Sequence, residues 1–249
     1  DSLAAAVGNP FASRVLRDDL RRMFGQPRAL IADARTGRLA PGWRHLDEDV
    51  IEAQGTFAEL HTKRLFVEGI VPLLDGLGDR LSRDGGRVLD VGAGAAGNAI
   101  AFARTWPKAS IVGLEPWQPS REIGLRNVKA AGLETRITIH DTRVEELAED
   151  GVYDLVWLPQ MFFDDATLTS GLAACRRALH PDGWLVTAWI ADERATGLSG
   201  ALARLRDVAF GGDGRGEATL RDRLRVSGFR DLRSVPFAGG SIGTLGGRA

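Results

Sequence analysis

Cysteine is nearly absent from this chain of 249 residues. Cys175 stands alone, so no disulfide can form within the chain. Proteins of reducing compartments rarely use disulfides, which makes a lone cysteine typical of the cytoplasm. Long apolar runs are absent too, since no stretch approaches the roughly 20 apolar residues that cross a bilayer. The sequence therefore predicts a cytoplasmic protein with no membrane partner.

An excess of positive charge is also missing. The chain has 32 lysines and arginines against 33 aspartates and glutamates, which gives a formal net charge of −1. Proteins that bind nucleic acid through an extended surface usually carry a basic stripe. The charge balance therefore predicts no nucleic-acid partner.

Residues 87–98, RVLDVGAGAAGN, join a short apolar stretch to a turn rich in glycine. The apolar stretch, 87–92, is typical of a buried strand, and residues 96–106 have a helical pattern. The glycines at 92, 94 and 97 have no Cβ, so the backbone of this turn can come close to a bound nucleotide. Glycine turns also close ordinary loops, so this motif alone is weak evidence.

Two acidic side chains indicate which kind of ligand the glycine turn would bind. Asp90 lies two residues before Gly92, and Glu115 ends the next predicted strand, 110–115. A carboxylate at the first position would repel a pyrophosphate, whereas one at the second can accept both hydroxyls of a ribose. This pair suits a cationic ligand without phosphate, such as S-adenosylmethionine. The segments DVGAG and Glu115-Pro116 resemble motifs I and II of the class I S-adenosylmethionine-dependent methyltransferases.

Predicted strands and helices alternate from residue 87 onward, which indicates an α/β fold with a mostly parallel, doubly wound sheet. Strands are predicted at 87–92, 110–115, 136–140, 152–158 and 183–190, and helices at 96–106, 118–132, 143–149, 164–179, 198–210 and 217–227. Two final strands, 229–237 and 241–245, predict an antiparallel hairpin. The resemblance implies the same architecture, a seven-stranded Rossmann-like sheet that such a hairpin closes.

The first third of the chain has helical patterns but no motif. Apolar residues from Phe11 to Phe24 share one helix face, Pro27 is expected to break that helix, and a longer helical pattern runs from Asp47 to Leu81. We expect a helical N-terminal cap over residues 1–84, acting as a lid or as the dimerisation arm of a homodimer. A cofactor-binding domain is expected over residues 85–249.

The resemblance implies roles for the residues around the two motifs. Gly92 and Gly94 would present backbone groups to the methionine part of the cofactor, Asp90 would reach its ammonium group directly or through water, and Glu115 would hold the ribose. Further cofactor contacts are implied for Pro116, Trp117, Asp141, Arg143, Val144 and Pro159. Trp117 either stacks on adenine or caps the next helix. The adenine amino group is recognised either by Asp141 or by the backbone around Arg143 and Val144.

The segment after the fourth strand, Pro159-Gln160-Met161-Phe162, resembles motif IV, which faces the transferable methyl group in the family. Gln160 would orient an acceptor, Met161 and Phe162 would form an apolar substrate-binding wall, and Asp192 would approach from the loop after the fifth strand. His61 in the cap is a candidate catalytic base, because histidine changes protonation near neutral pH. A surface histidine beside charged neighbours fits the same pattern.

Asp164 and Asp165 invite comparison with metal-dependent catechol-type enzymes, which need a further acidic and amide pair after the fifth strand. Residues 191–194 are Ala-Asp-Glu-Arg, so that pair is missing. We therefore predict no metal, and we expect Asp164 to cap the following helix.

The predicted activity is methyl transfer from S-adenosylmethionine to a small molecule, with secondary metabolism as a setting. The acceptor atom, oxygen, nitrogen or carbon, stays open. Three alternatives stay open as well: a methyltransferase of RNA or protein, a nicotinamide-dependent reductase, and a cofactor-binding module without activity. The reductase is disfavoured because Tyr153, the single tyrosine, is followed four places on by Trp157 and not by lysine.

Overall fold

The computed structural model describes residues 10–37, 43, 45–190, 196–235 and 243–249. Within these residues the chain forms a seven-stranded sheet in the order β3-β2-β1-β4-β5-β7-β6. Its strands are β1 (Arg87–Val91), β2 (Ser110–Leu114), β3 (Ile137–His140), β4 (Tyr153–Leu158), β5 (Leu179–Trp189), β6 (Arg230–Val235) and β7 (Gly243–Arg248). The first five strands pair in parallel, and β7 pairs antiparallel with both β5 and β6. The predicted sheet with a closing hairpin is confirmed.

Helices pack on this sheet and extend before it in the chain. They are α1 (Pro10–Arg35), α2 (Glu48–His61), α3 (Leu77–Ser82), α4 (Gly97–Thr105), α5 (Gln118–Ala130), α6 (Asp165–Ala178), α7 (Gly197–Phe210) and α8 (Glu217–Val226). Successive strand residues point to opposite faces, so each strand supplies two cores. On β1, Val88 packs in one core with Phe102 of α4, and Leu89 packs in the other with Leu172 of α6.

The N-terminal region differs from its prediction at Pro27. α1 continues through this proline as one helix of 26 residues, so the predicted break is wrong. Proline removes one helical hydrogen bond, but packing against a neighbouring helix supplies most of the stability of a helix in a protein. Here the side chain of buried Gln26 donates to Gln54 of α2 at 3.4 Å. A Cβ on Gly25 would come within 2.7 Å of the Val50 side chain, so the two helices are in close contact.

The helical segment that begins after Asp47 changes its type along its length. α2 is followed by a π-helix at Thr62–Ile70, which the sequence did not predict, and then by a 3-10 turn at Val71–Leu73 that contains Pro72. The helix predicted at 143–149 is also wrong, because only a 3-10 turn, Val144–Glu146, forms there. A third 3-10 turn, Gln160–Phe162, follows β4.

α2 lies directly on the glycine turn after β1. A Cβ on Gly97 would fall 2.1 Å from the carbonyl oxygen of Gly55, and a Cβ on Gly55 would fall 2.6 Å from the Cβ of Ala95. Thr62 at the start of the π-helix also donates to the Asn98 side chain at 2.6 Å. Gly97 is therefore needed for helix packing, because a Cβ at this position would overlap α2. The domain boundary between residues 84 and 85 stays a prediction.

Two smaller points concern Cys175 and the membrane. Cys175 lies on α6, has no exposed surface and packs in the core. No helix within the described ranges is long and apolar enough to span a bilayer.

Candidate active site

A cavity of about 470 Å³ lies at the carboxyl ends of the parallel strands. The turns after β1, β2 and β4 line one side, and residues of α2 and the π-helix line the other. Ligands of open α/β sheets bind at this edge, because the loops that follow neighbouring strands meet there.

The glycine turn is held to the neighbouring strand by its own backbone. The N–H groups of Gly92 and Ala93 both donate to the carbonyl of Leu114, at 2.8 and 3.0 Å. Gly92 and Gly94 have φ angles of +73° and +54°, a region that glycine adopts at little cost. Both line the cavity, so they present main chain and not side chains to a ligand.

Glu115 lies where the turns after β1 and β2 meet. Its two carboxylate oxygens accept the N–H of Gly94 at 2.8 Å and the N–H of Trp117 at 2.9 Å. Burial raises the pKa of this carboxyl, and the two N–H donors and Arg121 act in the opposite direction. The carboxylate lines the cavity and has further lone pairs, so it can still accept hydroxyl donors from a ligand.

Asp90 lies beneath the same turn and has no exposed surface. Neither oxygen makes a hydrogen bond of normal geometry to the described part of the chain, although Asn98 and the Ala99 N–H are near enough to lower its pKa. Burial, and then the charge of Glu115, raise that pKa to about 7. Asp90 does not line the cavity, whereas Asn98 does. Asp90 therefore lies behind the cavity wall, where it could influence a ligand only through its charge or through an intervening group.

The residues after β3 distinguish between the two predicted ways of recognising adenine, by Asp141 or by the backbone around Arg143 and Val144. Asp141 is exposed, pairs with Arg121 at 3.0 Å and does not line the cavity. Arg143 and Val144 do line it. The geometry thus favours the backbone around these two residues. Trp117 also lines the cavity, and its indole N–H donates to the carbonyl of His45 at 3.0 Å.

Three rings in the wall of the cavity form an aromatic cluster, which consists of Trp43, Phe162 and Phe210. Trp43 stacks on Phe210 with ring centroids 5.6 Å apart, and Phe162 meets both rings edge-on at 5.5 and 5.1 Å. The indole N–H of Trp43 donates to Ser120 at 3.2 Å, which holds the cluster next to α5. All three rings line the cavity, so this end suits an apolar ligand.

His61 faces the same cavity from the end of α2. Its Nδ1 lies 2.8 Å from the carbonyl oxygen of Phe57, and its ring stacks on the Phe57 ring with centroids 3.8 Å apart. A carbonyl only accepts hydrogen bonds, so in the neutral imidazole Nδ1 carries the proton and Nε2 carries the lone pair. The helix therefore fixes both the ring orientation and the tautomer that a general base requires.

Comparison with known proteins agrees with this geometry. Residues 88–183 match a family model described as a methyltransferase domain. Malonyl-[acyl-carrier protein] O-methyltransferase of Geobacter sulfurreducens is 29% identical over 174 residues, which are 68% of this chain and 60% of that protein. The chain thus spans less than two thirds of this curated relative.

Solved structures share the fold across nearly the whole chain. Mitomycin 7-O-methyltransferase MmcR is 21% identical, with a TM-score of 0.66, over 100% of this chain and 76% of its own. A putative O-methyltransferase from Nostoc punctiforme is 21% identical, with a TM-score of 0.67, over 94% and 72%. The chain thus matches a methyltransferase domain over residues 88–183 and has the fold of these solved structures.

Only some of the predicted acceptor residues line the cavity. Met161 and Phe162 line the cavity, as do Pro116 and Pro159 from the cofactor set. Gln160 is 1% exposed and does not line it, because its side chain is turned away to Arg215. Asp192 lies outside the described residues.

The two aspartates after β4 have structural partners. Asp164 accepts the N–H of Thr167 at 2.8 Å, which confirms it as the cap of α6, and this bond lowers its pKa. Asp165 forms ion pairs with Arg215 and Arg223. Within the described ranges, no group of three or more His, Cys, Asp or Glu side chains is placed to hold a metal ion.

Several residues of the site gave no signal in the sequence. Trp43 and Phe210 are single aromatic residues in segments without a motif, and they meet only because α7 folds back over the cavity. Arg215 lies 55 residues after Gln160, so no local pattern connects the two. One partial signal was the pair of glycines at 55 and 97, since glycine inside a helix often marks a close contact.

Proposed function

We propose that this protein transfers the methyl group of S-adenosylmethionine to an oxygen atom of a small, largely apolar acceptor. One observation carries the proposal: a single cavity joins the buried Glu115 and the glycine turn to the aromatic cluster. One end thus suits a nucleoside and the other suits an apolar acceptor. The relatives named above are called O-methyltransferases, which supports oxygen over nitrogen or carbon.

The residues present fit this cofactor. Glu115 would accept the ribose hydroxyls, and Gly92 and Gly94 would contact the methionine part. The backbone around Arg143 and Val144, with Trp117, would hold adenine. Asp90 is a buried acid that has no partner of normal geometry among the described residues, and a cationic ligand nearby would favour its charged form. When bound, the cofactor supplies a methyl group on a positively charged sulfur.

The chain itself would supply alignment and a base. Met161, Phe162 and the aromatic cluster would exclude water and hold an apolar acceptor beside the cofactor. The Nε2 atom of His61 would take the proton of the acceptor hydroxyl, because its Nδ1–H is held by the Phe57 carbonyl. Secondary metabolism stays the proposed setting.

The two main alternatives have less support. A net charge of −1 weighs against RNA. The buried Asp90 would, when charged, repel the pyrophosphate of a nicotinamide cofactor.

The finer points on assembly and location are proposals too. Leu20, Phe24 and Ile31 of α1 are 45%, 67% and 55% exposed and lie at spacings of four and seven, so they share one helix face. α1 packs on α7, which also exposes apolar side chains, Leu198, Leu205 and Val208. We propose that two copies associate through these helices in a homodimer. A cytoplasmic location stays a prediction.

The test is methyl transfer from labelled S-adenosylmethionine to a panel of apolar ring compounds that differ only in bearing a hydroxyl or an amine. We expect label in hydroxyl compounds only. His61→Ala should remove the pH dependence of turnover that reports the base, and Lys63→Ala, an exposed neighbour, is the matched control. Transfer to amines alone, or an unchanged pH profile in His61→Ala, would contradict this assignment.

A further inference from the structure

Arg215 is a buried arginine that lies outside the cavity. It is 6% exposed and belongs to the loop between α7 and α8. Arginine is seldom buried unless its donors are satisfied, because removing its charge from water is costly. The groups that Arg215 bonds therefore indicate which part of the structure it stabilises.

Those partners lie at both ends of one short turn. The Nε of Arg215 donates to the side-chain oxygen of Gln160 at 3.0 Å, and one terminal nitrogen donates to the carbonyl of Phe163. The Gln160 amide in return approaches the carbonyl of Arg215 at 3.5 Å. The 3-10 turn Gln160–Phe162 is thus clamped by one guanidinium group, whose planar set of donors can reach two acceptors at once.

Acidic groups hold the arginine itself in place. Asp213 lies 2.8 Å from its Nε, and Asp165 at the start of α6 lies 3.4 Å from its other terminal nitrogen. Asp207 of α7 accepts the N–H of Gly214 at 2.6 Å, which shapes the loop. The position of Arg215 therefore depends on α7, which also carries Phe210 of the aromatic cluster.

The clamped turn carries part of the acceptor wall. Met161 and Phe162 lie between the two ends that Arg215 holds, and both line the cavity. We infer that Arg215 is a positioning residue: it fixes this turn and thereby sets the wall against which the acceptor binds. This inference rests on the proposed function for its acceptor, but the clamp itself can be tested without one.

The first measurement is hydrogen–deuterium exchange of Arg215→Ala and Arg215→Lys. We expect the peptide over residues 159–164 to exchange about tenfold faster or more in both variants, since bonds to a charged donor are lost. Lysine keeps the charge but cannot grip both ends of the turn, so it should not rescue the exchange rate. The peptide over residues 88–97 should exchange as in the wild type.

Arg223→Ala is the matched control. Arg223 of α8 pairs with Asp165 and donates to Thr169 at 3.0 Å, both at the start of α6. Its loss therefore removes an arginine that binds the same end of α6 as Arg215 does, but that does not contact the turn Gln160–Phe162. This variant should leave the exchange of residues 159–164 unchanged.

The second measurement distinguishes an effect on acceptor binding from an effect on cofactor binding. In Arg215→Lys, the KM of the acceptor found in the methyl-transfer panel should rise about tenfold or more, while the affinity for S-adenosylhomocysteine stays within about twofold. A purely structural defect would weaken both. Wild-type exchange at 159–164 in both variants, or an unchanged acceptor KM, would overturn the inference. If the wild-type protein binds no S-adenosylhomocysteine and transfers no methyl, the proposed function fails, and the exchange data alone decide whether Arg215 holds the turn.

Discussion

Glu115 offers the sharpest test of the cofactor end of the cavity. Replacing it with alanine would remove the acceptor for both ribose hydroxyls and leave the N–H groups of Gly94 and Trp117 unpaired. A hydrogen bond to a charged acceptor contributes about 1.5–3 kcal/mol, so losing two predicts at least about a 100-fold loss of cofactor affinity. Glu115→Gln keeps one acceptor oxygen and should lose less.

Calorimetric titration with S-adenosylhomocysteine measures this effect, and a melting curve shows that each variant is folded. Glu122→Ala is the matched control, because Glu122 is an exposed acid on α5 that bonds Gln118 and does not line the cavity. An affinity within about threefold of wild type in folded Glu115→Ala would refute the role of Glu115, because one lost bond to a charged acceptor should already cost more than that.

Three further predictions concern stability and metal dependence. The raised pKa of Asp90 means that the folded chain keeps a proton the unfolded chain has released, so wild-type stability falls as pH rises toward about 7. In urea unfolding, the free energy of unfolding of Asp90→Asn relative to wild type should therefore rise by up to about 1.4 kcal/mol per pH unit between about pH 5 and 7. The variant should also bind S-adenosylhomocysteine more weakly. A difference in unfolding free energy that is the same at both ends of this pH range would contradict this. Gly97→Ala should lower the melting temperature strongly, because its Cβ would overlap the Gly55 carbonyl, whereas Gly132→Ala, at a site with open space, tests the cost of backbone strain alone; equal losses would argue against the helix contact. Turnover should survive EDTA, and activity that chelation abolishes and magnesium restores would show that Asp164 and Asp165 were misinterpreted.

The sheet and the cofactor end could be predicted because their signals are local. The strand, the glycine turn and Asp90 lie within one segment, and Glu115 ends the very next strand. The closing hairpin was visible as two strands in succession. Each of these features depends on neighbours in the sequence, and strand alternation alone placed them at one edge of the sheet.

Apart from Met161 and Phe162, the proposed acceptor end could not be predicted, because it depends on contacts between distant segments. Gln160 was placed at the acceptor by the resemblance, but Arg215, 55 residues on, engages its side chain outside the cavity. Gly97 looked like part of a nucleotide motif, yet the nearest atom to its missing Cβ is the Gly55 carbonyl of α2. Pro27 looked like a helix break, but packing on α2 outweighs its lost hydrogen bond.

The most direct test of the whole account is a calorimetric comparison of two ligands on the wild-type protein. S-adenosylhomocysteine keeps the nucleoside and amino-acid parts of the proposed cofactor, whereas NADP carries a pyrophosphate that a charged Asp90 should repel and a 2′-phosphate that Glu115 should repel. We predict saturable binding of S-adenosylhomocysteine and no measurable heat with NADP. Binding of NADP without any response to S-adenosylhomocysteine would contradict the account.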